Sequence, residues 1–461
     1  MRRGIVSSGL LLVLSAGTVI AGGTPNGPDV IVSTIGTSLD ENGIIGGIGA
    51  YSMTTVSCNL GEADAIWIDS GALDTEHPVI GQNMYRLKDG RFEQIGQAWL
   101  KHGFCAADVC SCGSPCEVNG SCDWLGTHAT DTYGAGLNAS QPGMGPKSEV
   151  NPWTGDFPYP YILNWSQSGN AIFKRLQIVQ TDLDPSLNAG ALYFGESQYI
   201  CTDEVEMNRY NNVSHRSVVV GGQTGSGQWM LSFSGATVVQ KPAITAWAAA
   251  DPTVTLVDVD VPNDGRFIVG YKVTEITGAE GSQWDYEYAV YNMNSDRSAG
   301  AISLPVDDAV GVTNIGFHDV PYHSGEPYSG TDWGSTRNAG TLRWSTEAYV
   351  INTNANAVRW GTIYNYRFRA DQPPTPGQMT ITLFKPGTPT AVFANVMVPS
   401  APPPPACAGD VDGDGDTDSF DLNIILTDFG CASSCAGDVD GDGDTDSVDL
   451  NILLTDFGCI P

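Results

Sequence analysis

Positive charge is what this chain has least of. Its 461 residues hold 21 Lys and Arg against 52 Asp and Glu, a formal net charge of −31 at pH 7. Nucleic acid is therefore not an expected partner, because a phosphate backbone needs a basic footprint. Long apolar runs are also missing. Beyond residue 21 no segment approaches the roughly 20 apolar residues that span a bilayer, so an integral membrane protein is not expected. The chain carries no G-x-S-x-G elbow, no H-E-x-x-H, no P-loop, no dinucleotide fingerprint and no C-x-x-C-H haem attachment site. Amphipathic helices are scarce too. The segment 92–104, FEQIGQAWLKHGF, is the best short candidate.

What is present begins with an export signal. Arg2 and Arg3 precede an apolar stretch, and Val19-Ile20-Ala21 is a plausible cleavage site. Residues 1–21 thus read as a signal peptide, and the protein is expected to be secreted, extracellular or attached to the cell surface. In that setting eleven cysteines imply disulfides. Cys58 and Cys201 stand apart, Cys105, Cys110, Cys112, Cys116 and Cys122 cluster, and Cys407, Cys431, Cys435 and Cys459 lie near the C-terminus. The seven before residue 400 are odd in number, so at least one is free, metal-bound or intermolecular.

Composition divides the rest. Residues 22–240 read as a β-rich domain whose segment 100–160 is a cysteine-pinned loop region. Residues 241–400 read as a β-sandwich-like domain, with period-two alternation in VTLVDVDV (254–261), WDYEYAVYNM (284–293) and TIYNYRF (362–368). A proline run makes 401–406 a semi-rigid linker. The expected fold is mainly β, one or two β-sandwich-like domains, followed by a small α module at 407–461.

That module is an internal repeat. Residues 407–431 and 435–459 differ only at Phe420 against Val448 and at Ile425 against Leu453. Each copy fits a twelve-residue EF-hand calcium loop, whose ligands come from positions 1, 3, 5, 7, 9 and 12, with Gly at 6. The first loop supplies Asp410, Asp412, Asp414, Asp416, Asp418 and Asp421, with Gly415 at position 6. The second supplies Asp438, Asp440, Asp442, Asp444, Asp446 and Asp449, with Gly443 there. Position 7, Asp416 or Asp444, is expected to offer its backbone carbonyl. Two Ca²⁺ ions would remove the repulsion among these carboxylates and couple binding to folding. Leu422, Ile425, Leu426 and Phe429, and Leu450, Leu453, Leu454 and Phe457, recur at helical spacing and mark two short core-facing stripes. No helix precedes either loop, so each copy is half an EF-hand. Phe420 with Ile424, and Val448 with Ile452, fall opposite those stripes, where they either form a docking face or pack elsewhere. If the copies pack antiparallel, Cys407 meets Cys459 and Cys431 meets Cys435; the other pairing joins 407 to 431 and 435 to 459.

The duplicated loop-helix, with Asp at position 12 followed by Leu, resembles a type I dockerin. Cys431 and Cys459, each following Asp-Phe-Gly, resemble the Gly-Cys dockerin-like modules of secreted bacterial proteins. The resemblance covers 407–461 and implies a cohesin-like or cell-surface protein partner. Recognition in that family centres on positions 10 and 11, here Ser419-Phe420 and Ser447-Val448, in place of the common Ser-Thr. It also implies attachment or assembly of a β-rich cargo, either a binding or structural protein or a hydrolase acting on O-glycosyl bonds of polysaccharide.

The β region offers weaker candidates. His318, Asp319, His323 and Glu326 lie close in sequence, as a metal site or as ordinary loop polar groups. Glu76, His77, Asn83, Arg86, Lys88, Glu93 and His102 are dense in reactive types, catalytic or structural. Asp285 and Glu287 share one strand face, with Trp284, Tyr286 and Tyr288 on the other. Those aromatics are either core or a platform for stacking sugar rings. Asn119, Asn138, Asn164 and Asn212 occupy N-x-S/T sequons.

Overall fold

The computed structural model describes residues 27–69, 75–278, 281–401 and 407–460. The expected signal peptide and most of the proline linker lie outside them. One compact unit ends at Ser400 and a second begins at Ala401.

The first unit is built from strands, as the alternating patterns require. Its N-terminal part is a twelve-stranded sheet formed by strands between Val30 and Val238. The long hairpin Val30–Ile45 and Ile48–Asn59 is antiparallel and bulged. Two five-stranded antiparallel sheets follow. One holds Thr255–Val261, Gly265–Gly278, Gly281–Asn292, Val312–His318 and Thr362–Ala370. The other holds Ala299–Pro305, Gly334–Asn338, Thr341–Ser345, Pro374–Leu383 and Ala391–Pro399. Their inner faces share one core containing Phe267, Tyr286, Tyr288, Trp344, Tyr366 and Ile381, which makes a sandwich.

The sheets change over between Val238 and Thr255, but the hydrophobic core does not stop there. Tyr85, Phe92 and Phe194 of the first assembly pack with Trp247, Ile268, Tyr291 and Ile363. Buried polar groups fasten the same junction. Asn365 Nδ2 donates to the Phe92 carbonyl at 3.0 Å, and Ile363 N–H donates to Gln94 Oε1 at 2.8 Å. Glu196 Oε1 accepts from Tyr85 Oη at 2.7 Å and Asn83 Nδ2 at 3.1 Å, and its Oε2 accepts from Ala243 N–H at 2.7 Å.

Three expectations need correction. Segment 92–104 is not helical. It forms the strands Arg91–Gln97 and Leu100–His102, and nearly every residue in them is buried, so both faces are covered and the apolar spacing mimics a helix. Cys58 does not stand apart, because it bridges to Cys112; Cys105–Cys122 and Cys110–Cys116 complete the cluster, leaving Cys201 as a buried free thiol. In the second unit, Leu426, Phe429, Leu454 and Phe457 are exposed rather than core.

Candidate metal centre

The second unit has two helices, Ser419–Asp428 and Ser447–Asp456, which pack on each other. Ile425 and Leu453 are its fully buried apolar side chains, both at 0% exposure. Leu422 and Leu450 are half-buried, because a ten-residue helix crossing another of equal length buries little more than one turn. The disulfides are Cys407–Cys459 and Cys431–Cys435.

Each loop winds around its own carboxylates. Asp410 Oδ1 accepts from Gly413 N–H at 2.7 Å, and its Oδ2 accepts from Gly415 N–H at 3.1 Å. Gly415 has φ +104°, a backbone region that disfavours side chains, which is why position 6 is glycine. Asp421 Oδ1 accepts from Val411 N–H at 2.7 Å and Asp412 N–H at 3.1 Å, while its Oδ2 accepts from Asp418 N–H at 2.8 Å. The second loop repeats the pattern through Asp438 and Asp449. Asp418 and Asp446 also cap the helices, each forming a capping box with Asp421 or Asp449. The D-x-x-D spacing carries that signal in the sequence.

The copies complete each other. Asp456 Oδ2, at the end of the second helix, accepts from Gly409 N–H at 2.8 Å and Thr417 Oγ1 at 2.9 Å. Asp428 Oδ2 reciprocates with Gly437 N–H at 2.9 Å and Thr445 Oγ1 at 3.2 Å.

Carboxylate oxygens of Asp410, Asp412 and Asp421 lie within 4.8 Å of one another, as do those of Asp416, Asp418 and Asp421, and those of Asp438, Asp440 and Asp449. Asp416 Oδ1 and Asp444 Oδ1 are enclosed and have no hydrogen-bond partner. They are unsatisfied acceptors among like charges, and they fit a hard divalent cation. Enclosure, and then the neighbouring Asp414, Asp418, Asp421 and Asp412, raise the Asp416 carboxyl above its usual range. For Asp444 the largest cause is Asp442. Burial works to raise Asp421, but the N–H groups of Asp418, Asp412 and Val411 outweigh it and hold that carboxyl below the usual range. The position-7 side chain, not only its carbonyl, thus faces the loop interior. Two further groups, Cys407–Asp456–Cys459 and Asp428–Cys431–Cys435, bring ligand types together. Their sulfurs are consumed in disulfides and are not thiolate ligands.

On the opposite side of the first helix, Phe420 is 66% exposed, and its counterpart Val448 is 49% exposed. Ile424 and Ile452 are partly buried, and Ser419 and Ser447 are exposed. Phe420 and Ile424 line a shallow depression together with Asn423 and Thr427.

The β-region candidates are dispersed. His323 Nε2 contacts the Gln97 carbonyl at 2.8 Å, Glu326 accepts from Ser148 N–H at 2.8 Å, and Asp319 accepts from Asn356 Nδ2. His318 is half-buried, and desolvation, opposed by Glu93, lowers its imidazole below the usual range. Of the 76–104 group, His77 Nε2 meets His102 Nδ1 at 2.9 Å, Arg86 pairs with Glu93 at 2.8 Å and Asp182 at 2.9 Å, and Lys88 donates to the Leu187 carbonyl at 2.7 Å. Glu76 sits in an isolated bridge with Ile68, and Asn83 serves Glu196. These contacts tie the group into the fold. Tyr286 and Tyr288 are core and Trp284 packs against that core, so no aromatic platform exists on that strand. Asp285 and Glu287 line a cleft of about 550 Å³ with Arg91, Lys272, Arg367 and Arg369. Asp285 is held by Arg369 at 2.6 Å, and Glu287 by Arg91 at 3.1 Å. Burial pushes the Glu287 carboxyl up to about 8. Sequons Asn138 and Asn212 are buried.

No family model matches the chain, and no curated protein does. A solved structure described as "Biofilm associated protein - B domain" aligns over 92% of this chain and 94% of that one, at 10% identity and a TM-score of 0.14, too low for the likeness to carry an argument. Among the described residues no helix is long and apolar enough to cross a membrane.

Proposed function

We propose that this is an exported, cell-surface or extracellular β-rich protein whose segment 407–461 is a dockerin-like module that binds two Ca²⁺ ions and attaches the β unit to a cohesin-like or cell-surface protein. The observation that carries the reading is the pair of aspartate loops with enclosed, unpartnered Asp416 Oδ1 and Asp444 Oδ1, in a module that has no Lys, Arg or His to neutralise them. Oxygen donors at EF-hand spacing favour calcium over softer-ligand metals. The exposed Phe420 and Val448, with Ile424 and Ile452 beside them, support a docking face.

Calorimetric calcium titration tests the metal reading. Asp410→Ala with Asp438→Ala is expected to abolish tail binding; unchanged binding sinks the assignment. Phe420→Ser with Val448→Ser is expected to keep calcium and to lose retention of the whole chain on cell envelopes of the producing organism.

A second reading, a hydrolase of polysaccharide, is favoured by one place. Glu287, holding a proton near neutral pH, and Asp285, paired with Arg369, lie two residues apart in one polar cleft. Release of reducing ends by the whole chain, lost in Glu287→Gln, would support it. Retention on insoluble glycan without cleavage would leave polysaccharide as a ligand only.

A further inference from the structure

The start of the first strand is clamped by a short segment 170 residues later in an unusual way. Glu204 Oε1 accepts from Val30 N–H at 2.8 Å. Asn208 Nδ2 donates to the Pro28 carbonyl at 2.9 Å. Asn211 Nδ2 donates to Asp29 Oδ2 at 3.3 Å. Three side chains from 204–211 therefore converge on three consecutive residues. Each of these groups leaves one oxygen over. Asp29 Oδ1, Glu204 Oε2, Asn208 Oδ1 and Asn211 Oδ1 are all buried and without a hydrogen-bond partner. The residues themselves are 4%, 2%, 0% and 3% exposed. The two amide nitrogens are committed to Pro28 and Asp29, which fixes the amide oxygens as the free ends.

The counter-charge acting on the Glu204 carboxyl, Arg209, is the weakest of the influences on it. Neither Asp29 nor Glu204 forms an ion pair among the described residues. Arg209, the nearest guanidinium, spends Nε on the Glu204 backbone carbonyl at 3.0 Å and stacks over Trp153 at 5.0 Å. Two adjacent buried carboxyls with two spare amide oxygens are costly if nothing binds them. A single proton does not serve the two orphaned amide oxygens, whereas a hard cation takes up amide and carboxylate oxygens alike. The donor set is oxygen only.

We propose that Asp29, Glu204, Asn208 and Asn211 form a buried calcium site in the β unit, distinct from the two aspartate loops. The ion ties the first strand to the 204–211 segment and satisfies all four oxygens at once.

The test counts calcium in the full-length chain after dialysis, by native mass spectrometry. The variant Asp410→Ala/Asp438→Ala, which silences the tail, is expected to retain one ion. Adding Asp29→Asn and Glu204→Gln is expected to remove it. A tail variant that holds no calcium, or an ion indifferent to the added pair, overturns the proposal. Should the added pair fail to fold, chelation of the tail variant still decides. A lower unfolding midpoint, restored by Ca²⁺, is expected; an unmoved midpoint overturns it. A wild-type chain holding no more calcium than the tail variant would defeat the loop reading and leave this site standing.

Discussion

Glu287 shows how burial outweighs two neighbouring guanidinium groups, Arg91 and Arg367, in setting the behaviour of one residue. Its face was legible, because alternation along 284–293 separates it and Asp285 from the aromatics. Its environment was not, since no local pattern announces that Arg91, from a hairpin nearly 200 residues earlier, covers it. The folded carboxyl titrates at about 8, well above its unfolded value of 4.5. A raised carboxyl favours the protonated state on folding. Its contribution is fully present below the unfolded value and is lost as pH rises through the folded one. Stability of the β unit should therefore decline between pH 4.5 and 8, each unit of displacement being worth about 1.4 kcal/mol. Glu287→Gln should flatten that decline in urea unfolding curves measured across the range. An unchanged slope would place the titration elsewhere. Asp416 makes the complementary point. Its place in the aspartate loop was legible from spacing, but the enclosure of its side-chain oxygen depends on how the loop closes and has no signal in the sequence.

At the level of elements, the aspartate loops and their exiting helices were legible because their determinants are local. Glycine at position 6, a capping carboxylate and a short apolar stripe all lie within twenty residues. The strand Arg91–Gln97 was misread because its determinants are distant. Gly96 lies under the Gln177 carbonyl, with an added Cβ only 2.5 Å from that oxygen, and such a neighbour is invisible in a window of thirteen residues. The helix stripes were over-read for a related reason, since periodicity marks a possible face and contact length decides how much of it is used. Close packing also explains a repeated glycine that the loop rule does not require. A Cβ on Gly437 would stand 3.1 Å from Ile425 Cα and 2.8 Å from Thr445 Cγ2, and Gly409 meets Leu453 Cα and Thr417 in the same way. Gly437→Ala should thus destabilise the tail by about 1–3 kcal/mol, as overpacking does. Circular dichroism of calcium-loaded full-length protein against urea would reveal it as an early loss of helix signal, with the β transition unmoved.

For the molecule as a whole, the division at Ser400 was legible because composition changes abruptly there, whereas the shared core of Tyr85, Trp247 and Tyr291 gives no such mark. The Cys407–Cys459 bridge closes a separation of 52 residues, worth about 4 kcal/mol by loop entropy, in a module with little apolar core. Cys407→Ser with Cys459→Ser should therefore make tail folding strongly calcium-dependent, read as a rise in the calcium concentration needed for half-maximal helix signal. An unchanged concentration would mean that metal and reciprocal hydrogen bonds suffice. Those reciprocal bonds have a consequence for origin. Asp428 reaches into the second copy and Asp456 into the first, so every copy carries both the hook and the eye of the fastening. A peptide with one copy has no internal way to close it, but two such peptides satisfy each other about a twofold axis. Fusing them in tandem turns an assembly that depends on concentration into one that does not. The near-identity of the copies is the trace such a fusion leaves, and the paired helix centres, Ile425 against Leu453, are one of the two places where they have since been free to differ.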